Sequence, residues 1–384
     1  MDAYHVDSGL LQLLARALNP AVPLTETPSA ETLWAIYQKA QAHDMAHLLF
    51  TSLDGLSVDI PPELLFKLRK KWLLAGSRYA QQSYELERIT ALFETNGIAY
   101  LPLKGTLLRE LYPDPAMRTS CDIDILVHSE DLDKADELLC RELGYQPWGK
   151  STHDVAYHGT SGVRLELHFD INEPDFRTIL CFATIWEQVH LVEGSAFRYE
   201  MTPEHFVLYH IYHMAKHFAA GGCGIRPFMD LWVLKHRADY DEEKLAQLLR
   251  EASLSAFARQ AFGLCEVWFG GAQHTVLTRE MEQYLIGAGI YGSRDNLVAI
   301  AQVKEGGKLL YFFRRVFLPF HKLKRVYPKL EKYPILYPWY QVKRWVSFLF
   351  RKNKKETLEE FTAGTAVTAE KRKSLKAMFT TLEL

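Results

Sequence analysis

Within RTSCDIDILV, residues 118–127, two aspartates stand one residue apart inside a run of strand-forming aliphatics. Side chains alternate across a β-strand, so Ile123 and Ile125 enter a core on one face while Asp122 and Asp124 project together from the other. Two carboxylates at successive same-face positions lie about 7 Å apart at the backbone and repel unless positive charge stands between them. A divalent cation is the natural filler. Downstream, HDVAYH (153–158) and VRLELHFDI (163–171) flank the turn sequence GTSG and read as a β-hairpin. In the second of these, Val163, Leu165, Leu167 and Phe169 share one face, and Arg164, Glu166, His168 and Asp170 the other. If this strand lies beside DIDILV, Glu166 completes a carboxylate triad.

The periodicity of the apolar residues divides the chain into four. Residues 1–95 form a helical N-terminal lobe, with a long helix starting at Pro61-Pro62 and stopping at Asn96-Gly97. Residues 96–200 change period: IAYLPL is a short apolar run, TLLRELY is helical, PDPAMRT is a turn, and EDLDKADELLCRELGY is a helix with Gly144 as its stop. Residues 201–300 are helical again, opening on Thr202 at the N-cap with Pro203 and Glu204 behind it. Residues 301–384 are a basic, aromatic, proline-interrupted tail with a terminal helix.

LPLKGTLLRELY supplies a second piece of chemistry. A strand ends in Lys104-Gly105 and a helix starts at once with Thr106. Free N–H groups at a helix start, with glycine permitting close approach, suit the phosphates of a nucleotide. Lys104 and Arg118 are cations able to reach the same phosphates, or to pair with neighbouring carboxylates.

The ordered set LKGTLLRELYPDPAMRTSCDIDILVHSEDLDKADELLCRELGY, followed by RLELHFDI, resembles an uncharacterised bacterial nucleotidyltransferase family of the DNA polymerase β-like superfamily. The resemblance is dense over about residues 94–172. It implies an α+β fold: a small mixed β-sheet with polymerase β-like nucleotidyltransferase topology, flanked by helical N-terminal and C-terminal regions. It implies a two-metal, Mg²⁺-dependent (or Mn²⁺-dependent) enzyme moving an NMP from an NTP such as ATP to an acceptor hydroxyl, with release of pyrophosphate. Asp122, Asp124 and Glu166 match the metal-binding and catalytic carboxylates. Lys104, Gly105, Thr106 and Arg118 match the nucleotide-phosphate side, with Thr106 where the wider superfamily has serine. Glutamate in place of aspartate as third carboxylate lengthens that arm, and the interval from Gly105 to Asp122 exceeds that of minimal members. The acceptor, whether small molecule, peptide or RNA, is left open. From a different class, a non-catalytic nucleotide- or partner-binding protein, antitoxin-like or regulatory, can keep the same fold.

Other features bound these readings. The five cysteines are scattered and contain no CxxC, which argues against a disulfide framework or a thiolate zinc site and fits a reducing, cytoplasmic setting. No basic n-region followed by an apolar stretch opens the chain, and no run has the length of an integral membrane segment. Residues 1–300 hold 26 Lys and Arg against 40 Asp and Glu, whereas residues 301–355 hold 15 against 2. Residues 304–355 therefore fit an anionic partner, or a strap whose aromatics are buried against the helical lobes. His210, His213 and His217 share one helix face, spaced for a transition metal or for packing beside the substrate. Arg226 and Asp230 are read as a buried ion pair, with substrate contact by Arg226 as the alternative.

Overall fold

Five strands form the sheet that carries the carboxylates: β1 (Tyr100–Pro102), β2 (Asp122–Val127), β3 (Gln146–Lys150), β4 (Asp154–His158) and β5 (Arg164–His168). The computed structural model describes residues 3–173, 176–290, 292–349 and 366–384. Spatial order is β1-β2-β5-β4-β3. β2 runs antiparallel to β1 and parallel to β5, and β4 and β5 form the antiparallel hairpin read from the sequence. In the parallel register Asp124 lies opposite Glu166, with Ile123 opposite Leu165 and Ile125 opposite Leu167.

One face of this sheet is a dry core. Ile123, Ile125, Leu165 and Leu167 pack with Tyr157 and with Ile89 and Phe93 of the 35-residue helix Pro62–Asn96. Helix Leu132–Leu143 closes the same core through Leu132, Ala135, Leu138 and Leu139, residues at helical spacing, and ends where Gly144 turns left-handed at φ 71°. Each such buried aliphatic contributes about 2 kcal/mol. That burial anchors β2 and β5, whose opposite face carries repelling charge.

Three strands were not apparent in the sequence. β3 contains Pro147 and Gly149 and its residues are exposed, so it reads as a loop, yet an edge strand tolerates both residues and the pairing shifts register between them. β6 (Val189–Leu191) and β7 (Tyr199–Met201) make a separate two-stranded ribbon, too short for a clear alternation.

Helices that precede and follow the sheet in the chain share a second core. Leu10 and Leu14 of helix Ala3–Leu18 belong to the same apolar cluster as Phe218, Phe228, Phe257 and Leu264 from the C-terminal helices, and as Met378 and Phe379 from helix Ala369–Leu382. Helix Pro203–Ala219 begins as its sequence suggests, with the Thr202 hydroxyl accepting from the His205 N–H and Pro203 in the first turn.

The basic tail departs from the strap reading. Helices Lys308–Val316, Phe320–Val326, Lys329–Lys332 and Tyr337–Leu349 fold onto a small core of their own made by Leu323, Leu330 and Tyr340. Tyr311 is buried in the main body, but much of the aromatic complement stays exposed. Residues 350–355, the last part of the basic tail expected to meet an anionic partner, lie outside the described residues.

A charged joint ties the sheet region to the C-terminal helices. Asp230, on helix Arg226–Arg237 and 1% exposed, accepts from Arg118 Nε at 2.8 and 3.0 Å and from the Tyr112 hydroxyl at 2.7 Å. Removing one member of a buried pair strands its partner's charge in a desolvated place. Asp230→Ala is therefore expected to destabilise the protein by about 3–5 kcal/mol in urea unfolding. Asp230→Asn, which keeps an acceptor oxygen, loses less, and equal losses for both variants contradict the role given to this joint.

Candidate active site

The turn after β1 is held under strain. Lys104, a non-glycine residue, has φ 43° and ψ −117°, and a one-turn helix, Gly105–Leu108, follows immediately. Backbone in such sparsely populated regions persists only where surroundings enforce it. Here the enforcing group is Arg109, buried, whose Nε donates to the Gly105 carbonyl at 3.1 Å and whose Nη2 donates to Gln82 Oε1 at 2.9 Å and Ser120 Oγ at 3.0 Å. Gln82 also donates to the Ser120 carbonyl at 3.2 Å. The long helix Pro62–Asn96 thereby clamps the Lys104 turn against the segment entering β2. A Cβ on Gly105 would lie 3.3 Å from Ser120 Cβ and 3.5 Å from Arg118 Nη1, so glycine allows this close approach.

Strain at Lys104 aims its ammonium at the carboxylates. Lys104 Nζ lies 3.3 Å from Asp124 Oδ1, and His168 Nε2 lies 3.1 Å from the same oxygen and 3.7 Å from Glu166 Oε2. Burial opposes ionisation of Asp124, but the Lys104 charge and the His168 hydrogen bond outweigh it and hold this carboxyl well below the usual range. Burial alone would discharge Lys104, yet Asp124, Tyr209 and Glu166 raise its pKa above the ordinary value. The other two carboxyls shift the opposite way. Burial and then the Asp124 charge push Asp122 up to about 6, and burial with the Asp124 and Asp122 charges pushes Glu166 up to about 8.

Ligand atoms of Asp124, Glu166 and His168 lie within 4.8 Å of one another, as do those of His153, Asp154 and His168. Asp122 stands outside the first group because same-face neighbours on a strand are a full pleat apart. His168 enters it from β5, two residues after Glu166 on the same face, as the alternation requires.

All of these residues line one cavity of about 430 Å³. Its opposite wall is helix Pro203–Ala219, which presents Tyr209, His210, His213 and His217. His210 Nε2 lies 2.8 Å from the Pro227 carbonyl, and His213 and His217 meet Nε2 to Nε2 at 3.0 Å, one ring donating to the other. Burial lowers the pKa of all three, reinforced at His213 and His217 by the Lys104 charge, with His217 at about 4. The histidine face thus meets the cavity in neutral form. Among the described residues it joins neither group able to hold a metal. At the rim, Glu173 takes Lys216 at 2.5 Å and His153 at 3.3 Å.

Six of the seven residues singled out from the sequence meet here: Lys104, Gly105, Arg118, Asp122, Asp124 and Glu166. Thr106 does not line the cavity; it lies within the one-turn helix whose first residue, Gly105, faces the site. Arg118 reaches the cavity with its Nε committed to Asp230. The expected Arg226–Asp230 pair is replaced by two others. Arg226 binds Asp44 at 2.7 Å, since Asp230 is taken by Arg118 and Tyr112. Gln82, Arg109, Tyr209, Glu173 and Lys216 were not found in the sequence, because they come from helices and loops whose local patterns resemble ordinary core and surface. Ser120 was within reach, two residues before Asp122 in the same motif.

The family described as "Uncharacterised nucleotidyltransferase" matches residues 30–270. No curated protein matches the chain. Among solved structures, the solution structure of the antibiotic-resistance factor ANT(2'')-Ia aligns over 50% of this chain and 100% of its own, at 11% identity and a TM-score of 0.34. The match over residues 30–270 spans the long helix, the whole sheet and the histidine wall, and on it the chain belongs to the uncharacterised nucleotidyltransferase family.

Proposed function

We propose that this protein transfers an NMP from an NTP to an acceptor hydroxyl in the presence of Mg²⁺ or Mn²⁺. The observation that carries the reading is the facing of Asp124 and Glu166 on adjacent parallel strands, with Asp122 on the same face and Lys104 poised beside them.

The donor set fits a divalent cation. Oxygens dominate it, as hard cations require, and His168 adds one nitrogen. Lys104 offsets only one of three carboxylates, and burial, followed by the carboxylate charge left uncompensated, raises the Asp122 and Glu166 pKa values. Asp124 and Glu166, with His168, would hold the metal, and Asp122, one pleat away on the same face, would add its charge. When bound, a divalent cation supplies charge stabilisation to the phosphates and acidifies the acceptor hydroxyl.

The chain's own residues supply the rest. Asp124, pinned between Lys104 and His168, stays ionised and fixed. Glu166, once a bound cation has displaced the proton that its raised pKa lets it carry near neutrality, is placed to accept the proton of the acceptor hydroxyl. The acceptor oxygen bonds to the α-phosphorus while the bond from that phosphorus to the pyrophosphate oxygen breaks. Lys104 meets the charge that leaves with pyrophosphate, and the guanidinium of Arg118, oriented by Asp230, faces the same space. The neutral wall of His210, His213 and His217 supports a hydroxyl-bearing acceptor on the other side, with donors and acceptors that add no charge.

Transfer of α-phosphate label from each of the four NTPs into a cell extract tests the reading. Wild type is expected to label an acceptor with one or more nucleotides, and Asp124→Asn to lose at least about 100-fold in rate. Tight NTP binding without label in any extract favours the non-catalytic binding protein instead.

The pKa shifts give a second test. Below about 6 and about 8 respectively, Asp122 and Glu166 carry protons that a cation must displace. Mn²⁺ affinity is expected to rise as pH increases from 6 to 8, with proton release visible by calorimetry in buffers of differing ionisation enthalpy. For the metal-free protein the sign reverses. Both groups bind protons more tightly folded than unfolded, so their contribution is complete in acid and is lost as pH rises to 8. An affinity flat across this window is the contrary result.

A further inference from the structure

Among the described residues, 14 of the 24 large apolar side chains that stand exposed fall between Leu309 and Val346. They are organised. On helix Lys308–Val316, Leu309, Phe313 and Val316 recur at four and three residues, one stripe, with Leu309 88% and Phe313 59% exposed. On helix Tyr337–Leu349, Trp339, Val342 and Val346 make a second stripe with Trp345 beside it, while Tyr340 and Gln341 turn inward. Phe317 and Trp345 join the two, their ring centroids 5.3 Å apart, and Trp345 Nε1 donates to the Val316 carbonyl at 2.8 Å. Ile335, 88% exposed, extends the apolar surface from the connecting turn.

Cations flank this surface. Arg314, Lys322, Lys329, Lys332 and Lys343 are exposed on the same segment, and residues 308–349 hold 10 Lys and Arg against 1 Asp and Glu. The segment packs onto its own small core of Leu323, Leu330 and Tyr340, so the outward apolar stripes are not a consequence of an unfolded tail.

We propose that residues 308–349 form a docking surface for an anionic lipid bilayer, lying in the headgroup region. Aromatic and aliphatic side chains on one face with lysine and arginine at the margins are what an interfacial helix requires. Tryptophan and tyrosine sit at headgroup level, and cations meet acidic lipids. RNA fits less well. Leu309, Ile335, Val342 and Val346 offer no ring to stack on a base, and a single-strand binder needs aromatics along a charged groove rather than aliphatic stripes. A second copy fits less well too, because the surface would bring two strongly cationic segments together. No described helix is long and apolar enough to cross a membrane, so the contact is with a bilayer surface.

The test uses the full chain and vesicles of phosphatidylcholine with or without phosphatidylglycerol, read by co-sedimentation and by tryptophan emission. Binding is expected to the anionic vesicles only, with a blue shift as Trp339 and Trp345 leave water. Trp339→Glu with Val346→Glu is expected to abolish the blue shift and weaken binding at least tenfold. Lys329→Gln with Lys332→Gln weakens it by on the order of tenfold and makes its salt dependence shallower. These positions are exposed, and circular dichroism checks that each variant keeps its helices. Four results overturn the proposal. They are no vesicle binding by wild type, equal binding to neutral vesicles, anionic binding indifferent to the Trp339/Val346 variant, and capture of a single-stranded RNA probe without vesicle binding.

Discussion

Parallel pairing of β2 with β5 sets Asp124 and Glu166 at facing positions on adjacent strands, roughly 5 Å apart at the backbone. Asp122 stands on the same face one pleat away. Apolar contacts on the far side of the sheet hold the strands there regardless, through Ile123, Ile125, Leu165 and Leu167. The surrounding structure answers the resulting repulsion unequally. Asp124 receives both Lys104 and His168, and its pKa falls; Asp122 and Glu166 receive less, and theirs rise. Carboxyls of like chemistry are thus separated in proton affinity by their surroundings. One is a fixed anion and another is poised near neutrality, the division of labour that acid–base and metal chemistry both use.

That inequality depends on backbone held far away. Lys104 reaches Asp124 because its own φ is positive, and this conformation is maintained by Arg109, Gln82 and Ser120. Gln82 belongs to the helix that also fills the sheet's core with Ile89 and Phe93. Packing on one face of the sheet and electrostatics on the other are therefore joined through a single helix. On the opposite wall, neutral histidines avoid adding positive charge next to Lys104, whose field itself helps keep His213 and His217 unprotonated.

What was legible in the sequence was whatever is written in local periodicity. DIDILV, the hairpin through RLELH, the helix stop at Gly144 and the Thr202 cap each rest on side-chain alternation, helical spacing or capping chemistry within a few residues. The carboxylate set followed, because alternation fixes which side chains share a face. Partners of Arg118 and Arg226 did not follow. Choosing between Asp230 and Asp44 for each depends on how helices from residues 30–52 and 203–237 pack, and no local pattern encodes that. β3 was hidden for another reason: its proline and glycine are tolerated only because it is an edge strand, a property of the sheet and not of the segment.

Charge is also segregated on the scale of the whole chain. Acidic residues prevail over the first 300 positions and cations over the next 55. Were attraction between these parts the organising force, the basic segment would lie flat on the body with its apolar residues covered. Instead it makes pairs close at hand, Lys322 with Glu305 and Lys324 with Glu331, and builds its own core from Leu323, Leu330 and Tyr340. Exposed ion pairs of this sort contribute only about 0–1 kcal/mol each. Apolar burial within the segment therefore decides its shape, and its charges are left available at the surface. An anionic bilayer would attract the segment and repel the acidic body, so contact through the stripes of Phe313 and Trp339 would hold the body, and the cavity it carries, away from the membrane plane.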